Sequence, residues 1–369
     1  MLKIVDDIQQ ALAEKKMVML VLLDLSSAFD TIDQDILLYK LLHHFGITGS
    51  VIKWIESYLK GRTFSVRIQN VNGKVCLLIY GVPQGTILGP LLFVLYIHDM
   101  VHIGRKFDIS VELFADDSRW YFSFSPLTER TLAIENMNKC MEEIKIWMAN
   151  NYLKVNFGKT DTIFFRNPYH HSVFDNQISC TIQGKYFVNS SNQTVESLGC
   201  ILDSSVSMES MVLQCIKSCY FNLKKLGGIR RYLSQDHKLA VVTSYVISRL
   251  DFENALYVNI SKTLLNKLQR LLNACTRFIF GLSKDVNADH YMKALHILPV
   301  QYRIKYKICL TVFKILNGLS PDYLKDKVTS VIPLDYSFLR SSLDLTKLQL
   351  PRHEIHINTL WQKTGIRYQ

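Results

Sequence analysis

Three carboxylates carry the sharpest chemical signal in the sequence. Asp24 follows an unbroken apolar run, Met17 to Leu23. Asp116 and Asp117 stand side by side after Val111 to Ala115, a run broken only by Glu112. Adjacent aspartates favour turns, and a lone aspartate after a strand can cap a helix, so each site alone reads as ordinary. Together they read differently. If the two apolar runs are neighbouring strands, the three acids share one sheet edge, where like charges repel and one carboxyl is driven toward its protonated form. A divalent cation removes that conflict. Magnesium takes one or two carboxylates, keeps waters and completes its shell with substrate phosphates. Two such ions roughly 4 Å apart can activate a hydroxyl nucleophile and stabilise a leaving pyrophosphate.

Elements of the right kind surround these acids. Leu2, Val5, Ile8 and Leu12 have helical spacing, so residues 2 to 15 read as an amphipathic helix. Val18 to Leu25 has the length and continuity of a buried central strand. Residues 35 to 59 return to helical period until Gly61. Phe64, Val66 and Ile68 alternate, Asn72-Gly73 offers a tight turn, and Val75 to Tyr80 runs back, which predicts a hairpin. Gly81 to Gly89 is a loop opening an apolar helix over residues 90 to 100. Val111 to Phe114 and Trp120 to Phe124 read as strands around the acidic turn. A helix over 127 to 149, a strand within Lys154 to Phe165 and a short hairpin at Val195 to Asp203 follow. This order predicts an α+β domain over residues 1–205, an antiparallel sheet covered by helices on one face. Residues 206–330 carry long helical patterns and almost no strand signal, which predicts an all-helical second region. Residues 331–369 read as an irregular tail.

Composition narrows the partner. The chain has 369 residues, 48% of them apolar, enough for a sizeable core. A formal charge of +11 favours a polyanion, nucleic acid before an anionic membrane surface. The eight cysteines form no CxxC pair or zinc-spaced cluster and read as thiols in a reducing compartment. The apolar runs Met17 to Leu23 and Ile87 to Ile97 are too short to span a bilayer, and Asp6 and Asp7 precede any apolar run, unlike a signal peptide. The expectation is an intracellular protein, with no compact basic localisation signal.

The words around the acids add a resemblance. LLDLSSAFDTIDQDIL (Leu22 to Leu37) resembles motif A of reverse transcriptases from non-LTR (LINE-type, Jockey/CR1-like) retrotransposons. GVPQGTILGPLLFVLYIHDM (Gly81 to Met100) looks like motif B, and FADD (Phe114 to Asp117) like motif C. NNYLKVNFGKTDTIFF (Asn150 to Phe165) is similar to motif D, and SLGCILD (Ser197 to Asp203) to motif E. FADD alone is a weak signal; GVPQGTILGP is strong, and the ordered set is very specific.

The resemblance implies an RNA-directed DNA polymerase built as a palm followed by a helical thumb. It implies that Asp24 and Asp116 are the principal ligands of two Mg2+ ions (Mn2+ as a substitute), that Asp117 completes the acidic cluster, and that the carbonyl of Leu25 adds a contact. Phe29 would be the steric gate that excludes a 2′-hydroxyl. Gln84 and Gly85 would line the nucleotide and template pocket. Lys159 would neutralise or protonate the leaving pyrophosphate, and Leu198 and Gly199 would form the primer grip. The partners implied are an RNA template, a DNA primer and deoxynucleoside triphosphates, with no membrane and no small-molecule redox cofactor. Nucleus and cytoplasm are the compartments expected from that function. The sequence departs from the family at Gln34 (usually His), at His98 (usually Asn) and at Ser118-Arg119 after FADD. None is a metal ligand. The stretch before Asp24, with Lys3, Lys15 and Lys16, is too short for the family's fingers, and no endonuclease precedes it. An N-terminally truncated chain is expected.

Residues 217 to 249 carry Lys217, Lys224, Lys225, Arg230 and Arg231 among aromatics, with Asp236 the lone acid. Such a region suits the phosphates of a duplex. Its position after motif E is that of the thumb. The alternative function is a catalytically inactive nucleic-acid-binding remnant of such an element. A nucleotide cyclase also uses paired acids on a related palm, but its signature residues are absent and the motif B loop fits only a templated polymerase.

Overall fold

The computed structural model describes residues 1–328 apart from 27, 84, 127, 157, 168–178, 183–184 and 189–193. Gln84 and the tail 331–369 therefore lie outside the described residues. Helix α1 (Leu2–Ala13) buries Ile4, Val5, Ile8, Ala11 and Leu12 on one face, as its spacing predicts. Strand β1 (Met17–Leu23) follows, then α2 (Gln34–His43) and α3 (Gly49–Leu59). Four short strands come next: β2 (Thr63–Phe64), β3 (Arg67–Ile68), β4 (Val71–Asn72) and β5 (Cys76–Leu77). Helices α4 (Leu88–Ile97) and α5 (Met100–Lys106) lead to β6 (Ser110–Phe114), β7 (Asp117–Phe124), α6 (Arg130–Asn150) and β8 (Asp161–Phe165). Two hairpins follow: β9 (Ser179–Ile182) with β10 (Lys185–Val188), and β11 (Thr194–Ser197) with β12 (Cys200–Asp203). The remaining described residues are mainly helical: α7 (Glu209–Gly227), α8 (Gln235–Val242), α9 (Ser248–Asp251), α10 (Lys262–Phe280), α11 (Asp289–Ala294) and α12 (Val300–Leu316).

The α+β class is as expected. A four-stranded antiparallel sheet has the order β6-β7-β1-β8, with β1 paired on both sides. Met17, Met19, Val21 and Leu23 of β1 pack with Leu37 and Leu41 of α2, Phe93 and Ile97 of α4, and Met137 and Ile144 of α6. Each such fully buried side chain contributes about 1.5–3 kcal/mol. Val18 and Leu20, on the opposite face, are buried too, which is why β1 reads as a continuous apolar run and not an alternation.

Three expectations shift. The chain forms two compact units, Lys15–Gln193 and Met1–Glu14 with Thr194–Gln369, so the boundary does not fall at residue 205. Helix α1 belongs with the later, helical unit, where it packs on the turn Asn254–Asn259 and its Asp6 pairs with Lys327 at 2.9 Å. The helical pattern over 35 to 59 is two helices, separated where Gly46 and Gly49 take positive φ. The hairpin turns at Gln69-Asn70, because Ile68 pairs with Val71; Gly73 instead donates its N–H to the Val66 carbonyl at 2.7 Å.

A glycine fixes the junction between motifs A and B. Gly81 has φ +82°, its N–H bonds the Ile32 carbonyl, and Val82 N–H bonds the Phe29 carbonyl. Gln34, one of the departures from the family pattern, donates its Nε2 to the Gly81 carbonyl at 3.1 Å. A Cβ on Gly81 would stand 2.9 Å from the Phe29 carbonyl oxygen and 3.0 Å from Asp30 Cα, backbone atoms that cannot swing aside. Gly81→Ala is therefore expected to cost about 1–3 kcal/mol, read as a lowered urea midpoint at unchanged slope.

Candidate active site

The β1–β7 register ends at Leu23 opposite Ser118, so Asp24 continues from the end of β1 alongside the start of β7. Phe114 pairs with Asp117, which makes Ala115 and Asp116 the two turn residues between β6 and β7. Asp117 is thus the first residue of β7 and not a turn residue. Ala115 holds φ +51°, a conformation rare for a residue with a side chain. The three acids lie at one end of one sheet.

Their electrostatics agree. The Asp117 carboxyl is raised from its ordinary 3.8, first by burial. The charges of Asp116 and Asp24 push the same way, and the Arg119 guanidinium opposes them. Arg119 Nη2 stands 3.7 Å from Asp117 Oδ2. Asp24 Oδ2 is buried without a hydrogen-bond partner. Lys159 Nζ lies 3.9 Å from it, beyond hydrogen-bond reach, on a largely exposed side chain. Among the described residues no three acid, thiol or imidazole groups are drawn together closely enough to hold an ion by themselves.

The raised Asp117 has a consequence with a definite sign. The folded chain takes up that proton at a higher pH than the unfolded chain. Lowering the pH through the raised folded value toward 3.8 therefore adds stability, and raising it removes that stability. Asp117→Asn has no proton to gain. It is expected to melt slightly higher at neutral pH and to lose this part of the pH dependence, an effect kept small by the half-exposed side chain. Thermal melts between pH 4 and 7 without divalent cations check it.

Motif D is stitched to motif A by backbone. Ser26 N–H bonds the Lys154 carbonyl, Asn156 N–H bonds the Asp24 carbonyl, and Leu25 and Val155 face each other between them. In such a non-hydrogen-bonded antiparallel pair the central residue's own N–H and C=O point away from the partner strand. The Leu25 carbonyl is therefore not taken up by motif D. Phe29 is half-buried against Phe93, with ring centroids 4.8 Å apart. In the motif B loop, Thr86 Oγ1 donates to the Pro83 carbonyl and accepts from Tyr58 Oη and Gly89 N–H. Gly85 has φ +71° and open space where a Cβ would stand.

Two supporting residues were not singled out from the sequence. The Tyr96 hydroxyl, fully buried, donates to the Asn151 carbonyl at 2.8 Å and accepts from Asp33 N–H at 3.4 Å, so one side chain ties motif B to motifs A and D. Burial pushes its pKa up to about 12. Lys40, also buried, reaches Asp99 Oδ2 at 3.0 Å and the Tyr96 carbonyl at 2.8 Å, with its ammonium over the Tyr96 and Trp147 rings. A polar residue inside an apolar helical stripe is the signal for both.

The other expected site residues lie in the helical unit. Leu198 (φ +50°) and Gly199 (φ +72°) form the turn between β11 and β12. Lys217, Lys224, Lys225 and Arg231 are exposed. Arg230 is used differently: Nε donates to the Phe278 carbonyl at 3.0 Å and Nη2 to the Arg277 carbonyl at 3.2 Å, capping the end of α10. A π-helical turn, Thr243–Ile247, joins α8 to α9; Asn222 Nδ2 donates to its Tyr245 carbonyl and Cys219 Sγ to its Val246 carbonyl.

Comparison with known proteins agrees with the motif order. The model of the family "Reverse transcriptase (RNA-dependent DNA polymerase)" matches residues 2–202. The RNA-directed DNA polymerase from mobile element jockey of Drosophila funebris is 25% identical over 300 residues, covering 78% of this chain and 31% of that protein. The probable RNA-directed DNA polymerase from transposon X-element of Drosophila melanogaster is 35% identical over 103 residues, 27% of this chain and 11% of that one. The chain thus spans about a third of the length of the jockey relative. Among solved structures, apo telomerase from Candida tropicalis superposes with a TM-score of 0.43 at 15% identity, over 86% of this chain and 54% of that one. No helix among the described residues is long and apolar enough to cross a membrane. The resemblance to the polymerases of non-LTR mobile elements is borne out, and the chain belongs to the reverse transcriptase family.

Proposed function

We propose that this chain is the RNA-directed DNA polymerase domain of a non-LTR retrotransposon, extending a primer 3′-hydroxyl with deoxynucleotides along an RNA template. One observation carries the reading: Asp24, Asp116 and Asp117 meet at one sheet end, and Asp24 Oδ2 is buried without a hydrogen-bond partner. That oxygen fits a cation, as does the Asp117 carboxyl, raised first by burial and further by the charges of Asp116 and Asp24. Magnesium, when bound, would activate the hydroxyl and stabilise the leaving pyrophosphate. That the three carboxylates do not close a shell unaided suits an ion that draws its other ligands from water and substrate phosphates.

The chain's own residues do the rest. Asp24 and Asp116 hold the charge, with Asp117 beside them, and the Leu25 carbonyl is open to a further contact. Phe29, fixed on Phe93, would press against the sugar and favour deoxynucleotides. Gln84 and Gly85 would line the nucleotide and template pocket, where a positive-φ glycine with open space admits close approach. Lys159, whose Nζ lies 3.9 Å from Asp24 Oδ2, would neutralise or protonate the leaving pyrophosphate. Leu198 and Gly199 would grip the primer, and Lys217, Lys224, Lys225 and Arg231 would contact duplex phosphates.

A second reading is a remnant that binds duplex without copying it: among the described residues no three acid, thiol or imidazole groups make a ready-formed ion site. Primer extension on an RNA template with Mg2+ separates the two. Metal-dependent product that disappears in Asp116→Asn supports the polymerase. Duplex binding without product supports the remnant.

A further inference from the structure

Away from the acidic edge, the sheet unit gathers rings and cations on one exposed surface. From Ser57 to His98 the sequence holds no carboxylate, yet it holds Lys60, Arg62, Arg67 and Lys74. Lys60 pairs with Asp35 and Glu56. Arg62, Arg67 and Lys74 stand exposed on and beside the β2–β5 ribbon.

The rings form a column. Trp54 and Tyr58, one turn apart on α3, stack with centroids 5.8 Å apart and planes 13° apart. The Arg62 guanidinium sits 4.5 Å from the Tyr58 ring centre, and its Nε bonds the Tyr58 carbonyl, which fixes the fork in place. Trp54 is 56% exposed, a large apolar surface left in water. The Tyr58 hydroxyl donates to Thr86 Oγ1 at 2.9 Å, so the column is anchored to the motif B loop, next to the open Gly85.

We propose that Trp54, Tyr58 and Arg62 form a stacking platform for an unpaired RNA strand, the template ahead of its paired region, with Arg62, Arg67 and Lys74 meeting its phosphates. This rests on the reading of the motif B loop as the template's neighbour. Every base has a π-face, so a stacked ring column with a fixed guanidinium accepts any sequence, as a copying enzyme requires. The absence of carboxylates over this stretch complements a polyanion. The ribbon's exposed aliphatic side chains, Val66, Ile68 and Val71, would suit a protein partner, and the experiment separates the two.

The test uses the full chain and a fluorescently labelled oligouridylate, with a blunt RNA–DNA duplex as control, by anisotropy across salt. Trp54→Ala is expected to weaken single-strand binding about tenfold, and Trp54→Phe to recover most of it. The double variant Arg67→Glu, Lys74→Glu, at exposed positions, is expected to flatten the salt dependence by a log–log slope of about 1.4, near 0.7 per phosphate contact. Blunt-duplex affinity should stay within about twofold in all three. Single-strand affinity unchanged in both Trp54→Ala and the double variant would overturn the platform and leave the surface to a protein partner. An equal loss on the blunt duplex would overturn it as well. The polymerase reading is judged by product formation and the platform by binding, so either can fail alone.

Discussion

Replacing Asp24 by Asn is expected to slow single-turnover primer extension on an RNA template on the order of a thousandfold, since removing one preorganised charge from a reacting site costs several kcal/mol. Template–primer affinity should hold within about twofold, because phosphate contacts elsewhere dominate it. The substitution keeps volume and shape and removes only charge. The backbone stays anchored, because the Asp24 carbonyl is held by Asn156 N–H at 2.8 Å. The lost charge lies on an oxygen that is buried and makes no hydrogen bond in the fold, so little structural stability depends on it. Rate and affinity measured on the same preparation decide the matter. A parallel fall in both would mean that Asp24 shapes the binding surface and does not act on the reacting atoms.

The largest effect on the fold is expected at Asp99. Asp99→Ala leaves the Lys40 ammonium without its carboxylate, and Lys40 is 5% exposed. Burial already lowers the Lys40 pKa against the pull of Asp99. Removing one partner of a buried pair costs about 3–5 kcal/mol. The Tyr96 carbonyl and the two rings remain as partners for the ammonium, which places the loss near 3 kcal/mol. That is a large fraction of a domain's net stability. The double change Lys40→Met, Asp99→Leu should recover most of it, since an apolar pair of similar volume removes the stranded charge. Urea melts of the two variants beside the parent check both expectations.

Much of the site was legible in the sequence. Asp24 and Asp116 each stand just beyond an apolar run, and both runs enter one antiparallel sheet, but with β7 between them, an order that neither run encodes by itself. The misreadings share a cause: local signals were outvoted by distant ones. Asn72-Gly73 is a strong turn dipeptide, but the ribbon turns at Gln69-Asn70 because Gly73 is held by the Val66 carbonyl. Residues 2 to 15 read as a helix, and α1 forms there, grouped with the later helical unit. The carboxylate of Asp6 meets Lys327, a pairing no local pattern can encode. Arg230 reads in sequence as part of a basic stripe, yet its guanidinium closes the end of α10. Tyr96 and Lys40 each carry a polar group on the buried stripe of a helix, and only the packed structure gives them partners.

The place of β1 in its sheet also sets the order of assembly. The strand is synthesised well before its partners, β7 and β8. Until they arrive, the nascent polypeptide carries MVMLVLL with both edges unpaired, a segment prone to associate with other copies. Such long-range pairing is slow, because the loop entropy is lost before any contact is gained. The three acids, drawn from both ends of that interval, become neighbours only when the sheet closes. The acidic edge therefore forms late in folding, and expression of the chain should depend on chaperones that shield β1 in the meantime.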